Sequence, residues 1–252
     1  MVKKEAQLAR ITLNRPPANG YYDEFLQSLY QILSHLESEG DVKVVTIESG
    51  IDKFFCAGAD IKIFASKHVD GNKAMVVAAR EVARCISESA KIYVAAIQGH
   101  TLGGGLELAM ACDIRLAAKG NYLIGLPEIK LGQMPGNGGA VRLVQLLGKS
   151  RATELLLTGD SITPEKAFDY GLFNHLYEAV TFEKELDSYL HKLANGSRTA
   201  MKMVKNFLER YEGKSPQELL AWEKECVDQL YDTEDAKEGF RAFTEKRKPR
   251  FK

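Results

Sequence analysis

The chain has 252 residues, 45% of them apolar and 9% aromatic, which is enough for a sizeable core and argues against wholesale disorder. Lys and Arg total 34, as do Asp and Glu, so the net charge gives no argument for a nucleic-acid or membrane-surface partner. The length fits one large domain, or a core with an appendage.

The first residues, Met1-Val2-Lys3-Lys4-Glu5, have no apolar stretch behind their lysines, so no secretory signal is expected. Leu8 to Leu13 and Val44 to Ser49 read as strands. Between them Phe25, Leu26, Leu29, Ile32, Leu33 and Leu36 recur at helical spacing. A helix over Lys73 to Ser89 precedes strands at Ile92 to Ile97 and Ile114 to Ala117. Thr163 caps a helix with Pro164 at its first position, and Leu172 to Leu176 reads as a fifth strand. Strand–helix alternation with short connections predicts an α/β layered fold.

After about Val180 the strand signal stops. Phe182 to Leu193, Arg198 to Glu212, Pro216 to Leu230 and Glu234 to Lys246 read as helices. Ser215-Pro216-Gln217-Glu218 is a capping box, and Gly213 ends the helix before it. The expected division is a core over 1–195 and a helical region over 196–252. No apolar run reaches the roughly 18 residues of a membrane span. Cys56, Cys85, Cys112 and Cys226 match no zinc spacing, so no metal site is expected, and a reducing, cytoplasmic setting is the simpler inference.

Two glutamates follow turn-forming segments. Glu107 comes after Gly103-Gly104-Gly105-Leu106, in the first turn of a predicted helix. Glu128 comes after Gly125-Leu126-Pro127 and before Pro135-Gly136-Asn137-Gly138-Gly139. A glycine turn opening a helix lets a ligand approach free N–H groups at a positive dipole end. It can hold phosphate, or an oxyanion developing on a carbonyl, or nothing at all. Phe54-Phe55-Cys56-Ala57-Gly58-Ala59-Asp60 is a second such turn, with Asp60 as an N-cap and Ala57 as a second N–H donor. Gly148-Lys149-Ser150 is no P-loop, because Leu143 stands where the first glycine is required. Gly136-Asn137-Gly138 lacks the third glycine of a dinucleotide fingerprint, where Val141 stands. His100 has no Ser or Asp partner nearby for a nucleophilic triad, and reads as a pocket or structural histidine.

These segments, in this order, resemble the enoyl-CoA hydratase/isomerase (crotonase) superfamily. The likeness runs from Ile11-Thr12-Leu13-Asn14-Arg15-Pro16 through Cys56-Ala57-Gly58-Ala59-Asp60-Ile61-Lys62 and the glycine triplet. It continues through Ala111-Cys112-Asp113, Pro127-Glu128-Ile129, Leu157-Thr158-Gly159-Asp160 and Ala242-Phe243-Thr244-Glu245-Lys246. The resemblance implies an α/β spiral of ββα units (ClpP/crotonase-like) with a helical C-terminal trimerisation region, assembled as a homotrimer or a dimer of trimers. It implies an acyl-CoA thioester substrate, with coenzyme A entering as part of the substrate and no separate cofactor.

By the same likeness the oxyanion hole falls on the amides of Ala57 and Gly104. The carboxylates fall on Glu107 and Glu128, as in the hydratase branch. Glu128 is then the favoured proton donor and Glu107 the group that orients and activates water. Ala18, Gly58, Ala59, Asp60, Ile61 and Gly136 fall in the substrate site. Phe243 and Lys246 match positions that reach the CoA adenine and 3′-phosphate of a neighbouring subunit. Phe64 to Ala79 would be a mobile segment lining the acyl pocket. Three features depart from the commonest hydratase pattern: Asn137 in place of a small residue, Tyr21 and Tyr22 after Pro-Pro-Ala-Asn-Gly, and a spacing of 21 between the glutamates (128 − 107).

The two-glutamate pattern favours hydration of a trans-2-enoyl-CoA. The alternatives are an isomerase moving the double bond with one glutamate, another acyl-CoA lyase of the superfamily, or an RNA-binding homologue. The last needs a lysine-rich helix, yet Asp23 to Asp41 contains no Lys or Arg.

Overall fold

A computed structural model describes residues 1–251. The chain opens with β1 (Val2–Glu5) and β2 (Leu8–Leu13), then α1 (Asp23–Ser38). Three successive ββα turns follow. The first is β3 (Val44–Ser49), β4 (Phe54–Cys56), α2 (Ile61–Ser66) and α3 (Val69–Ser87). The second is β5 (Ile92–Ile97), β6 (His100–Leu102) and α4 (Gly104–Ala111). The third is β7 (Ile114–Ala118), β8 (Ile124–Gly125), a 3-10 turn over Pro127–Leu131, and α5 (Gly139–Thr158). Then come α6 (Pro164–Asp169), β9 (His175–Tyr177) and α7 (Phe182–Ala194). The chain ends in α8 (Arg198–Glu209), α9 (Pro216–Leu230) and α10 (Glu234–Thr244).

The first strand of each turn enters one sheet and the second enters another. The large sheet runs β1-β2-β3-β5-β7-β9, antiparallel only at the β1–β2 pair. The small sheet runs β4-β6-β8, all parallel. Strands covered on both faces carry near-continuous apolar runs, and all of Ile92–Ile97 is buried. On one face Leu8, Val44, Val94 and Leu116 meet Phe182, Leu186 and Leu190 of α7. On the other, Ile11, Val45, Ile47 and Tyr93 join α1, α3 and α4 in the main core.

The strands read over Leu8–Leu13, Val44–Ser49 and Ile92–Ile97 stand as expected, and that at Ile114 extends to Ala118. The fifth is shifted: Leu172 and Phe173 are buried loop residues, and pairing starts at His175. The segment expected as mobile, Phe64 to Ala79, is mostly the end of α2 and the first half of α3, and Met75 and Ala79 pack into the core. Gly148 (φ +76°) interrupts α5, so the Gly-Lys-Ser run is a break between two helical stretches. Ser215 and Glu218 form the capping box.

Lys205 of α8 ties the C-terminal helices to the body. Its buried Nζ donates to Asp113 Oδ2 (3.0 Å) and to the carbonyls of Ile86 (2.9 Å) and Lys91 (3.0 Å). Val204 and Leu208 on α8, Leu220 on α9 and Phe240 and Phe243 on α10 remain exposed. No described helix is long and apolar enough to cross a membrane.

Candidate active site

The site forms where the three turns of the spiral bring their loops together. The β4–α2 loop carries Ala57 to Asp60, the β6–α4 turn carries the glycine triplet, and the 3-10 turn carries Glu128. Contact between the first two loops demands glycine. Gly58 has φ +85°, and a β-carbon there would stand 2.8 Å from Gly104 N and 2.9 Å from the Leu102 carbonyl. A β-carbon on Gly105 would meet the Cys56 carbonyl at 2.1 Å.

The first loop is pinned from the N-terminal segment. Ala57 N donates to the Ala18 carbonyl (3.0 Å), Tyr21 N to the Gly58 carbonyl (2.8 Å) and Asp60 N to the Tyr21 carbonyl (2.9 Å). Asp60 caps α2 by accepting from Lys62 N and Ile63 N, and pairs with Arg15 at 2.9 Å. That guanidinium holds the Asp60 carboxyl below the usual carboxylate range. Asn19 completes the clasp: Nδ2 donates to Ser49 Oγ (2.8 Å) and to the Phe55 carbonyl (2.9 Å), and Oδ1 accepts from Arg15 N (2.7 Å).

This pattern corrects the expected donor pair. The Ala57 amide is spent on Ala18 and faces away from any ligand at Gly104. Ala59 bridges Tyr21 in parallel, with the bonds made by its flanking residues, so its own N–H points to the opposite side. Among the described residues neither Ala59 N nor Gly104 N has an acceptor. The free pair is therefore Ala59 and Gly104.

Glu107 lies on α4 one turn after Gly104 and is 2% exposed. Its Oε1 accepts from Asn137 N (2.7 Å) and Gly139 N (2.8 Å). Burial raises its pKa, against the pull of those two N–H groups and the cations Arg142 and Arg80. Both arginines also brace the turn, Arg80 Nε donating to the Gly136 carbonyl (2.5 Å) and Arg142 Nη1 to the Asn137 carbonyl (2.8 Å).

Glu128 sits across the glycine turn. A β-carbon on Gly103 would lie 3.1 Å from Glu128 Oε1. Its Oε2 is buried and has no partner. Burial, with a smaller contribution from the nearby Glu107, pushes this carboxyl up to about 7. The two carboxyls thus face one small region, in different environments: one held by two backbone amides, one with a buried oxygen left unpaired.

Tyr21 closes the same region. Its hydroxyl lies over Gly104, where an added β-carbon would stand 1.8 Å from it. Asn137 Nδ2 donates to this hydroxyl at 2.9 Å. Only a void of about 10 Å³, lined by Tyr21, Phe25, Leu29, Val82, Gly104 and Asn137 among others, remains behind the ring. The Pro-Gly-Asn-Gly-Gly cluster and the tandem tyrosines signal this contact only once the fold is known.

The remaining expected residues lie elsewhere or serve the frame. Phe243 is 86% exposed and lines a groove with Phe240 and Phe251 at the C-terminal helices, and Lys246 follows the end of α10 in a left-handed conformation. Neither joins the glutamates within this chain. His100 is structural: Nδ1 accepts from Leu123 N (3.0 Å), its ring packs on Phe54, and burial lowers its pKa. Cys56 is buried with its thiol pushed up to about 12, so it is no nucleophile. A groove of about 550 Å³ between α4, α5 and α8 contains neither glutamate.

Known proteins resemble this chain along its whole length. The family model described as enoyl-CoA hydratase/isomerase matches residues 3–252. A short-chain-enoyl-CoA hydratase of Clostridium acetobutylicum is 32% identical, the alignment covering 98% of this chain and 95% of that protein. A 2,3-dehydroadipyl-CoA hydratase of Escherichia coli is 35% identical, covering 100% and 98%. The crystal structure of an enoyl-CoA hydratase from Bacillus anthracis superposes with a TM-score of 0.96 at 33% identity, covering 100% of this chain and 98% of that one. With the spiral of ββα turns, the helical C-terminal region and a match from one end to the other, this chain belongs to the enoyl-CoA hydratase/isomerase family and has the crotonase fold.

Proposed function

We propose that this protein is a hydro-lyase that adds water in the syn sense to a trans-2-enoyl-CoA, giving a 3-hydroxyacyl-CoA. The observation that carries this reading is the pair of differently held carboxyls, Glu107 and Glu128, beside the free amides of Ala59 and Gly104. The thioester oxygen accepts from both amides. Negative charge builds on that oxygen as water attacks C3, and each such donor contributes roughly 2.7–4 kcal/mol.

Water alone is a poor nucleophile toward a conjugated thioester. The Glu107 carboxylate, fixed through Oε1, uses its other oxygen to take a proton from the water. The new C–O bond forms at C3, and the C2–C3 π pair moves toward the carbonyl. Glu128, which retains its proton to about pH 7, delivers that proton to C2. Positioned proton transfers of this kind are worth about 10²–10⁴-fold. Carboxyls held in such different surroundings suit an addition that needs one acid and one base. The net change is redox-neutral, so the chemistry calls for no redox cofactor, and CoA arrives with the substrate. In this reading Gly58, Asp60, Ile61 and Gly136 belong to the substrate site beside these groups.

A place in fatty-acid β-oxidation or related acyl-CoA degradation, in the cytoplasm, goes with this reading. So does assembly as a homotrimer or dimer of trimers, supported by the apolar side chains left exposed on α8, α9 and α10. In such an assembly Phe243 and Lys246 would serve a neighbour's CoA.

The test is loss of the conjugated thioester absorbance with short, long, branched and cyclic 2-enoyl-CoAs. Turnover of at least one, abolished by Glu107→Gln, supports hydration. Inertness toward every member removes the assignment. Survival of double-bond migration in Glu107→Gln would favour the isomerase instead.

A further inference from the structure

The Tyr21–Asn137 pair leaves polar capacity unused. Asn137 donates to the Tyr21 hydroxyl oxygen, so the phenolic hydrogen is free to point elsewhere, and among the described residues nothing accepts it. Asn137 Oδ1 is buried and without a partner. The residues are 7% and 6% exposed. Buried polar groups are nearly always paired, and each left bare costs about 1–3 kcal/mol. Here a donor and an acceptor are bare side by side. The ends of one amide are closer together than a hydrogen bond is long, so a single group can reach both.

The pair borders the proposed reacting groups. The Tyr21 hydroxyl stands over Gly104, whose amide is a proposed thioester donor, and Asn137 N holds Glu107. The attacking water is a poor occupant. Its oxygen loses electron density as the bond to C3 forms, and a hydrogen bond donated to that oxygen opposes the change. A carboxylate is also a poor occupant, since Glu107, Glu128 and Asn137 Oδ1 all present negative charge or lone pairs. A carbonyl satisfies the phenol but leaves Asn137 bare. A hydroxyl accepts from one and donates to the other.

We propose that Tyr21 and Asn137 form a subsite for a hydroxyl carried by the acyl group next to the reacting double bond, making the preferred substrate a short hydroxylated 2-enoyl thioester. This inference rests on the hydratase reading and narrows it. Sites built to hydrogen-bond a substrate hydroxyl discriminate strongly against the analogue that lacks it.

The experiment measures kcat/KM for 4-hydroxybut-2-enoyl-CoA and but-2-enoyl-CoA with wild type, Tyr21→Phe and Asn137→Ala. Wild type should prefer the hydroxylated thioester by about 10–100-fold, the penalty for leaving one buried group unpaired. The ratio should fall to near unity in Tyr21→Phe, which keeps the ring, and in Asn137→Ala. Wild type that turns over enoyl-CoAs without favouring the hydroxylated one overturns this inference alone, and so does a preference that persists in both variants. Wild type inert toward these two and toward the wider enoyl-CoA panel overturns the hydratase reading and this inference with it. Should one variant fail to fold, the wild-type ratio and the other variant still decide.

Discussion

Glu107 Oε1 lies 2.8 Å from the amide of Gly139, and a β-carbon added to that glycine would stand 2.7 Å from the same oxygen. The carboxylate is thus held by a backbone that has no room for a side chain. Gly139→Ala should push the carboxylate out of line while leaving its charge intact. A displacement of about 1 Å can cost on the order of 10²-fold in rate. We expect kcat to fall by about that factor with KM little changed, measured as enoyl-CoA hydration. Unchanged kcat would show that the placement of Glu107 is not critical.

The pH dependence has a definite sign. Glu128 must carry a proton to deliver one, and its raised pKa keeps it protonated up to about 7. Hydration measured as kcat/KM should decline above pH 7, approaching tenfold per pH unit, on a limb that belongs to the free enzyme. A profile flat from pH 6 to 9 would remove Glu128 as the acid.

The same group sets a stability cost. Its pKa rises from 4.5 unfolded to about 7 folded, so the stability this difference supplies is complete below 4.5 and lost as pH rises through 7. Above that the folded protein carries a partly buried charge. Discounted for solvent screening, the cost is about 1–2 kcal/mol. Glu128→Gln should therefore unfold roughly 2–6 °C above wild type at pH 8 and show no such gain at pH 4. Differential scanning at the two pH values reads the difference directly, and a gain equal at both would refute the assignment.

Lys205 spans from α8 to three acceptors in the body, with Asp113 also accepting from Tyr93 N at 2.7 Å. Removing one partner of a buried ion pair costs about 3–5 kcal/mol. Lys205→Met should lower the unfolding midpoint by on the order of 10 °C. A change of only a degree or two would mean that apolar packing alone docks the C-terminal helices.

Legibility in the sequence followed the range of the interactions. The large-sheet strands β2, β3 and β5 announced themselves as apolar runs, because burial on both faces acts through the residues themselves. The small-sheet strands did not: β4 and β6 have three residues each and β8 has two, too few to show a period. Gly148 obscured α5 by splitting it. Glu107 and Glu128 stood out because glycine turns are local features, and the convergence of their loops with the Cys56–Asp60 loop followed from the family likeness. The aim of a single amide did not stand out. Whether Ala57 or Ala59 faces the ligand is decided by pairing with Tyr21 and Ala18, nearly forty residues away in the chain, and no local pattern encodes it.

Tyr21 and Asn137 lie 116 positions apart and meet through a single hydrogen bond beside the glutamates. Each makes sense only in the other's company. A smaller residue at either position leaves its counterpart buried without its partner, so the tolerable route to a different acyl range exchanges both at once. In a library randomised at these two sites, active members should emerge as matched couples, polar with polar or aliphatic with aliphatic.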